Sequence, residues 1–260
     1  MRVIKPPPLS AFRVLEGEEP RDSLRAIRSM VSEDDLSVVF QPIVDLATGR
    51  LFASEALVRC RIAQFQPPPK LFEHAQQLGC VGRLGRLIRE IAIPLCSGAP
   101  IFVNVHPGEL DQGWLVRPDD PIFSHDADVY LEITESVPMS HFSLCVSVLR
   151  EVCSRGQVYL VIDDLGAGYS NLKRIADLQP NMVKIDGSLV RGLDANNRQQ
   201  ILVKRVVRLC TDLMASVVAE GIESASELQA VRDAGVQFGQ GFLLARPAYP
   251  IPALSLPPWG

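Results

Sequence analysis

Short, continuously apolar runs alternate with longer stretches of helical periodicity through almost the whole chain. From Asp22 to Val31, Leu24, Ile27 and the Met30–Val31 pair recur at helical spacing and predict a first amphipathic helix. Ser37 to Val44 and Leu51 to Arg59 are strand-like runs joined by DLATGR, whose Asp45 and Gly49 supply turn chemistry. So short a link predicts an antiparallel hairpin, because a parallel crossover needs about a dozen residues or more. Leu71 to Leu95 carries apolar residues at helical intervals, broken near Gly79 to Gly82, and reads as two helices. Further strand-like runs follow at Ile101 to Val105, Val129 to Ile133, Tyr159 to Ile162, Asn181 to Ile185, Ser216 to Ala219 and Val236 to Leu244. Helical stretches are expected over 138–156, 169–175 and 195–214. Strands alternating with helices argue for a mostly parallel α/β sheet. Eight strand candidates, with only the first pair hairpin-linked, fit a closed barrel better than an open doubly wound sheet. The lack of a glycine-rich dinucleotide fingerprint after the first strand points the same way.

The flanks differ in composition. Residues 1–20 are Pro-rich and acidic (KPPPLS, EGEEP) and read as an N-terminal arm; 21–248 form the barrel; 249–260 (YPIPALSLPPWG, from Tyr249) read as a Pro-rich C-terminal tail lying as an extended strap. A net charge of −4 argues against a nucleic acid polymer held by charge. No apolar run approaches the roughly 18 to 20 residues that cross a bilayer, so membrane insertion is not expected. The start, MRVIKPPPLSAF, has no apolar core of the signal-peptide kind. Six scattered cysteines without metal-type spacing read as reduced, buried thiols, and a cytoplasmic location is the expectation.

The chemistry lies where the strands end. YLVIDDLGAGYSNL is a buried strand followed by Asp163 and Asp164 and then by Gly166 and Gly168, which permit a tight turn. Adjacent strand residues point in opposite directions, so the turn must redirect one carboxylate if both serve a shared cation. Capping of the next helix is the plainer use of such a pair. Other strands end alike. Glu55 lies in SEALVRC, Asn104 in IFVNV, Glu132 in VYLEI, Lys184 in NMVKI, Glu220 directly after SVVA and Gln240 before Gly241. An Asn among branched residues needs partners for both amide ends or ligates something, and a Lys in a buried strand requires an anion. In a barrel, polar groups at strand C-terminal ends converge on one face. Five carboxylates there would repel strongly unless hard divalent cations neutralise them. An all-oxygen donor set with one amide suits Mg²⁺ or Mn²⁺ rather than zinc. Two such ions, about 3.5 to 4 Å apart, make an in-line phosphoryl-transfer site, so the residues themselves point to a metal-dependent hydrolase of a phosphate ester.

FQPIVDLATGR, SEALVR, FVNVHP, LEITES, VIDDLGAGYSNL, VKIDGSLV, VVAEGIES and GQGFLLARP, in this order over about Leu36 to Pro247, resemble the EAL-domain family, the bacterial phosphodiesterases specific for cyclic di-GMP. The resemblance implies a modified TIM (β/α)8 barrel with the first strand antiparallel, and Mg²⁺- or Mn²⁺-dependent hydrolysis of cyclic di-GMP to linear pGpG. It implies that Glu55, Asn104, Glu132 and Asp163 hold a first metal ion, and that Asp163 bridges to a second held with Asp164. By the same resemblance Lys184 orients the attacking water and Glu220 is either general base or support for the second ion. Glu135 is implied to steady the loop after the Asp pair and Gln240 to be the last polar contact, while Gln41, Pro42 and Arg59 match substrate contacts. A homodimer paired near the DDLGAGYS loop is also implied. The chain departs from the family pattern at Cys60, where Trp is usual, at Leu165 for Phe and at His106 for Ser, and the loop RIAQFQPPPK is short. Those departures leave a ring missing that could pack near the dinucleotide. Family members that have lost catalysis act as cyclic di-GMP receptors, and a barrel that holds a protein partner is a further alternative.

Overall fold

Eight short strands close on themselves in chain order in this computed structural model, which describes residues 21–111, 113–134, 142–166 and 172–255. β1 (Leu36–Asp45) and β2 (Leu51–Cys60) form the antiparallel hairpin, with Gln41 opposite Glu55. β3 (Ile101–Asn104), β4 (Val129–Thr134), β5 (Val158–Leu165), β6 (Met182–Ile185), β7 (Ser216–Ala219) and β8 (Phe238–Gly239) then add in parallel from β2 onward. β1 closes the ring against β8, again antiparallel. The fold class inferred from the alternation is therefore present, with its first strand reversed.

Helices cover the outside. They are α1 (Arg21–Met30), α2 (Pro68–Gln77), α3 (Val81–Leu95), α4 (Pro107–Asp111), α5 (Phe142–Ser154), α6 (Leu172–Leu178), α7 (Gly187–Val190), α8 (Asn197–Asp212) and α9 (Ala225–Asp233). The break between α2 and α3 falls at Gly79, whose φ of 69° is costly for residues with a side chain. α9 was not apparent from apolar spacing, yet it carries a capping box: the Ser224 hydroxyl accepts from Glu227 N–H while Glu227 accepts from the Ser224 backbone. Part of the expected 138–156 helix, 138–141, lies outside the described residues.

The last strand is much shorter than Val236 to Leu244. Gly241 explains the early end, because it packs against the Ile222 backbone where any Cβ would collide, and the chain turns there instead of extending. Beyond it, Ala248 bridges Phe40 on β1, and Ile251 and Leu254 pack on the main core, so the described part of the C-terminal strap lies against the barrel. No helix among the described residues is long and apolar enough to cross a membrane.

Strand periodicity sorts the barrel interior into two layers. Ile43, Ala53, Phe102, Tyr130, Val161, Met182 and Val218 form one buried apolar cluster, in which the rings of Phe102 and Tyr130 stack 4.4 Å apart. Two residues further along, the parallel strands and β2 offer Glu55, Asn104, Glu132, Asp163, Lys184 and Glu220. Because side chains alternate with a period of two, filling one layer with hydrocarbon sends the next inward-facing set to the C-terminal mouth.

Candidate active site

Lys184 is the hub of that upper layer. It is only 1% exposed. Its Nζ lies 2.6 Å from Glu220 Oε1, 2.7 Å from Glu132 Oε1, 3.2 Å from Glu55 Oε2 and 3.5 Å from Asp163 Oδ1. Burial alone would strip its charge, but the four carboxylates outweigh burial and hold it protonated well above the usual lysine range.

Glu55 is buried and fully engaged. Oε2 accepts from Gln240 Nε2 at 2.6 Å and from Lys184, and Oε1 accepts from Asn104 Nδ2 at 3.3 Å. Burial opposes its ionisation most, yet Lys184, Gln240 and Asn104 together bring its pKa below the ordinary value. Gln240 also donates to Gln41 Oε1 at 3.0 Å, and Gln41 donates to the Ala245 carbonyl at 3.2 Å, tying the site to the segment that follows β8. Asn104 differs from expectation. It is exposed at the end of β3 rather than buried among its branched neighbours, so its amide faces the cleft.

Glu132 shows the opposite electrostatics. Burial, reinforced by Glu55 and Asp163 and opposed by Lys184, pushes its carboxyl well above the carboxylate range. Its Oε2 and Gln240 Oε1 are buried acceptors without hydrogen-bond partners among the described residues. Such orphans are rare in folded proteins and mark places built to receive a ligand. Glu220 is pushed up to about 8, by burial first and then by Asp163 and Glu55, with Lys184 pulling the other way.

The Asp163–Asp164 pair resolves the alternation problem with a bulge. The register of β5 against β6 slips between Ile162 and Leu165, and Asp164 takes a φ of 62°. The extra residue turns Asp164 back, so Asp163, Asp164 and Glu220 offer oxygens within 4.8 Å of one another. Three convergent carboxylates and unpartnered buried acceptors fit a hard divalent cation.

Two lobes flank Glu55. The larger, about 530 Å³, is lined by Glu55, Asn104, Asp163 and Asp164 on one side and by Arg59, Phe72 and His106 on the other. The smaller, about 270 Å³, is lined by Gln41, Glu220, Gln240, Asp186 and Phe242 among others. Asp186, which the sequence reasoning left out, follows Lys184 by two residues, the same spacing that marks the site on other strands, and it caps α7 through Ser188 N–H. Arg59 lines the large lobe, where its guanidinium donates to the Val58 carbonyl. Pro42 is buried opposite Ser54 and lines neither lobe. Glu135 lies outside the described residues.

Cys60 is the buried thiol that the sequence suggests. Its side chain is buried in the outer cluster with Leu36, Phe65 and Leu71, away from the lobes. The ring facing the cleft comes instead from Phe72 on α2, parallel to the His106 imidazole within 7° at a centroid distance of 6.0 Å. Burial lowers the His106 pKa, favouring the neutral ring.

The family model described as the EAL domain matches residues 24–247. The chain belongs to the EAL-domain family. It is 31% identical over 232 residues to the cyclic di-GMP phosphodiesterase PA2567 of Pseudomonas aeruginosa, covering 84% of this chain and 39% of that protein. Among solved structures it is similar to Klebsiella pneumoniae BlrP1 in a calcium and cyclic di-GMP complex, with a TM-score of 0.71 and 30% identity over 82% of this chain and 56% of that one. The manganese and cyclic di-GMP complex of the same protein at pH 9.0 matches with a TM-score of 0.71 and 29% identity, over 84% and 57%. The chain spans about 40% of the length of the curated relatives that it matches at 31% identity.

Proposed function

We propose that this EAL barrel hydrolyses cyclic di-GMP to linear pGpG with Mg²⁺ or Mn²⁺. The observation that carries the reading is the upper barrel layer, where Glu55, Glu132, Asp163 and Glu220 meet Lys184 beside buried acceptors that have no partner among the described residues. In this reading Glu55, Asn104, Glu132 and Asp163 hold one cation, and Asp163, Asp164 and Glu220 hold the other. The convergence of the last three oxygens favours cation support over general base for Glu220. When bound, the ions lower the pKa of a water and stabilise charge on the attacking and leaving oxygens.

The chain's own groups do the rest. Lys184, a donor without acceptor capacity, orients the attacking water and balances charge as the acids exchange it for cations. The phosphate sits between the two lobes, and Arg59 and Gln41 contact the substrate. Water oxygen bonds to phosphorus as the water gives up a proton, the P–O3′ bond breaks with O3′ taking up a proton to leave as a hydroxyl, and one of the two phosphodiester linkages opens. The barrel over residues 21–248 is the functional unit, and pairing of two copies near the DDLGAGYS loop rests on the resemblance alone; sedimentation of the purified chain tests it.

Binding and turnover measured on the same preparation test the reading. Cyclic di-GMP should bind, and pGpG should accumulate only with Mg²⁺ or Mn²⁺. Binding without turnover at any cation concentration would overturn catalysis and leave a receptor.

A further inference from the structure

A fully buried ionic network lies behind the large lobe. Arg89 on α3, Glu109 on α4 and Asp120 before the turn Pro121–Phe123 are each exposed by 1% or less. Arg89 Nη1 donates to Glu109 Oε2 at 2.7 Å, while Nη2 and Nε donate to Asp120 at 2.8 and 3.1 Å. Glu109 uses its other oxygen on the site side: Oε1 accepts from the His106 backbone N–H at 2.9 Å. The loop is braced once more by Gly108 N–H, which donates to His106 Nδ1 at 3.1 Å. Gly85 completes the arrangement, because any Cβ there would collide with the Glu109 carboxyl.

Stability alone does not account for such a network. Apolar side chains of similar volume often hold helices together as well as a buried ion pair does, or better. A carboxylate locked by a guanidinium instead supplies direction, gripping one backbone N–H two residues beyond Asn104. Asn104 needs that help. It is exposed and its amide has, among the described residues, a single long hydrogen bond, 3.3 Å to Glu55, so its placement depends on the backbone at the end of β3.

We propose that Glu109, locked by Arg89 and accommodated by Gly85, is a positioning residue that sets the Asn104 amide for a divalent cation. The proposal rests on the cation reading above. Outer groups that orient metal ligands typically change affinity by about 10- to 100-fold when altered. Acting through two residues of backbone, Glu109 falls near the lower end.

Calorimetric titration with Mn²⁺ alone tests this, with thermal melts run alongside. Glu109→Gln preserves volume but turns an amide towards Arg89, and Gly85→Ala crowds the carboxyl without changing its charge. Both should weaken Mn²⁺ binding about tenfold. Val203→Ala, a truncation in the fully buried face of α8, should lower the melting temperature and leave Mn²⁺ affinity within about twofold, as expected for sites without shared partners. Either clamp variant that folds decides the matter. Unchanged affinity in it, equal weakening in Val203→Ala, or failure of both clamp variants to fold would overturn the positioning role. If the unaltered protein binds no Mn²⁺, the cation reading falls as well, which separates the two failures.

Discussion

Raising the pH of the cation-free protein should destabilise it, and Mn²⁺ should reverse the trend. Glu220 has an ordinary value of 4.5 and is raised to about 8 in the folded site, with burial as the largest cause. Between those values the folded chain holds more protons than the unfolded chain, so stability falls as pH rises. Each pKa unit is worth about 1.4 kcal/mol, which makes the Glu220 contribution on the order of a few kcal/mol between about pH 5 and pH 8. Glu132 adds to the loss with the same sign. Glu55 and Lys184 do not offset it there, since the Glu55 contribution is lost only in acid and that of Lys184 only in strong alkali, and His106, lowered by burial, opposes it only below its ordinary value of 6.5. Glu109 is also raised by burial, so part of the slope arises away from the site. A cation competes with protons on the site acids alone, and its added stability isolates their share. Denaturant melts at pH 5.5 and pH 8, with and without Mn²⁺, read both effects. Mn²⁺ should stabilise more at pH 8, and Glu220→Gln should flatten the cation-free slope. A cation-free stability that rises with pH across this range, or an Mn²⁺ effect that is larger at pH 5.5, would refute the reasoning.

Further expectations follow from the same contacts. Lys184→Met leaves four carboxylates without their shared cation, which should cost about 3 to 5 kcal/mol in cation-free melts, partly restored by Mn²⁺, and should reduce turnover at least a hundredfold in the hydrolysis assay. Cys60→Trp would restore the family's usual ring, but the side chain enters a packed cluster, so a loss of about 1 to 3 kcal/mol on denaturant melts is expected, with no gain in substrate affinity. Arg59→Ala, at a half-buried cleft position, should raise KM severalfold in steady-state kinetics while leaving the melting temperature within about two degrees.

Much of this was legible in the sequence because strand alternation is a local property. Phe102 and Asn104, Tyr130 and Glu132, and Met182 and Lys184 are pairs two residues apart, and the apolar member of each pair fixes where the polar one points. That one of Asp163 and Asp164 must be redirected was legible, but not that a bulge and a positive φ at Asp164 would do it, because these arise from the register against β6. Cys60 was legible as a buried thiol because, next to Arg59 on β2, it points to the opposite side of the strand. Asn104 was expected to be buried because its neighbours are, whereas the strand ends at that residue. Least visible of all was the clamp, since Arg89 meets Glu109 across 20 positions and Asp120 across 31, and no periodicity links them. The brevity of β8 likewise follows from a contact with Ile222 that only the closed barrel creates.

The most direct measurement is product analysis of cyclic di-GMP incubated with the purified chain and Mn²⁺, with Glu55→Ala beside it. Glu55 touches Lys184, Asn104 and Gln240 at once, so its removal dismantles the site at its best-connected acid. Linear pGpG from the unaltered chain and none from the variant is the expected result. Intact cyclic di-GMP with folded, Mn²⁺-loaded protein, or equal product from the variant, would contradict the assignment of hydrolysis to this cluster.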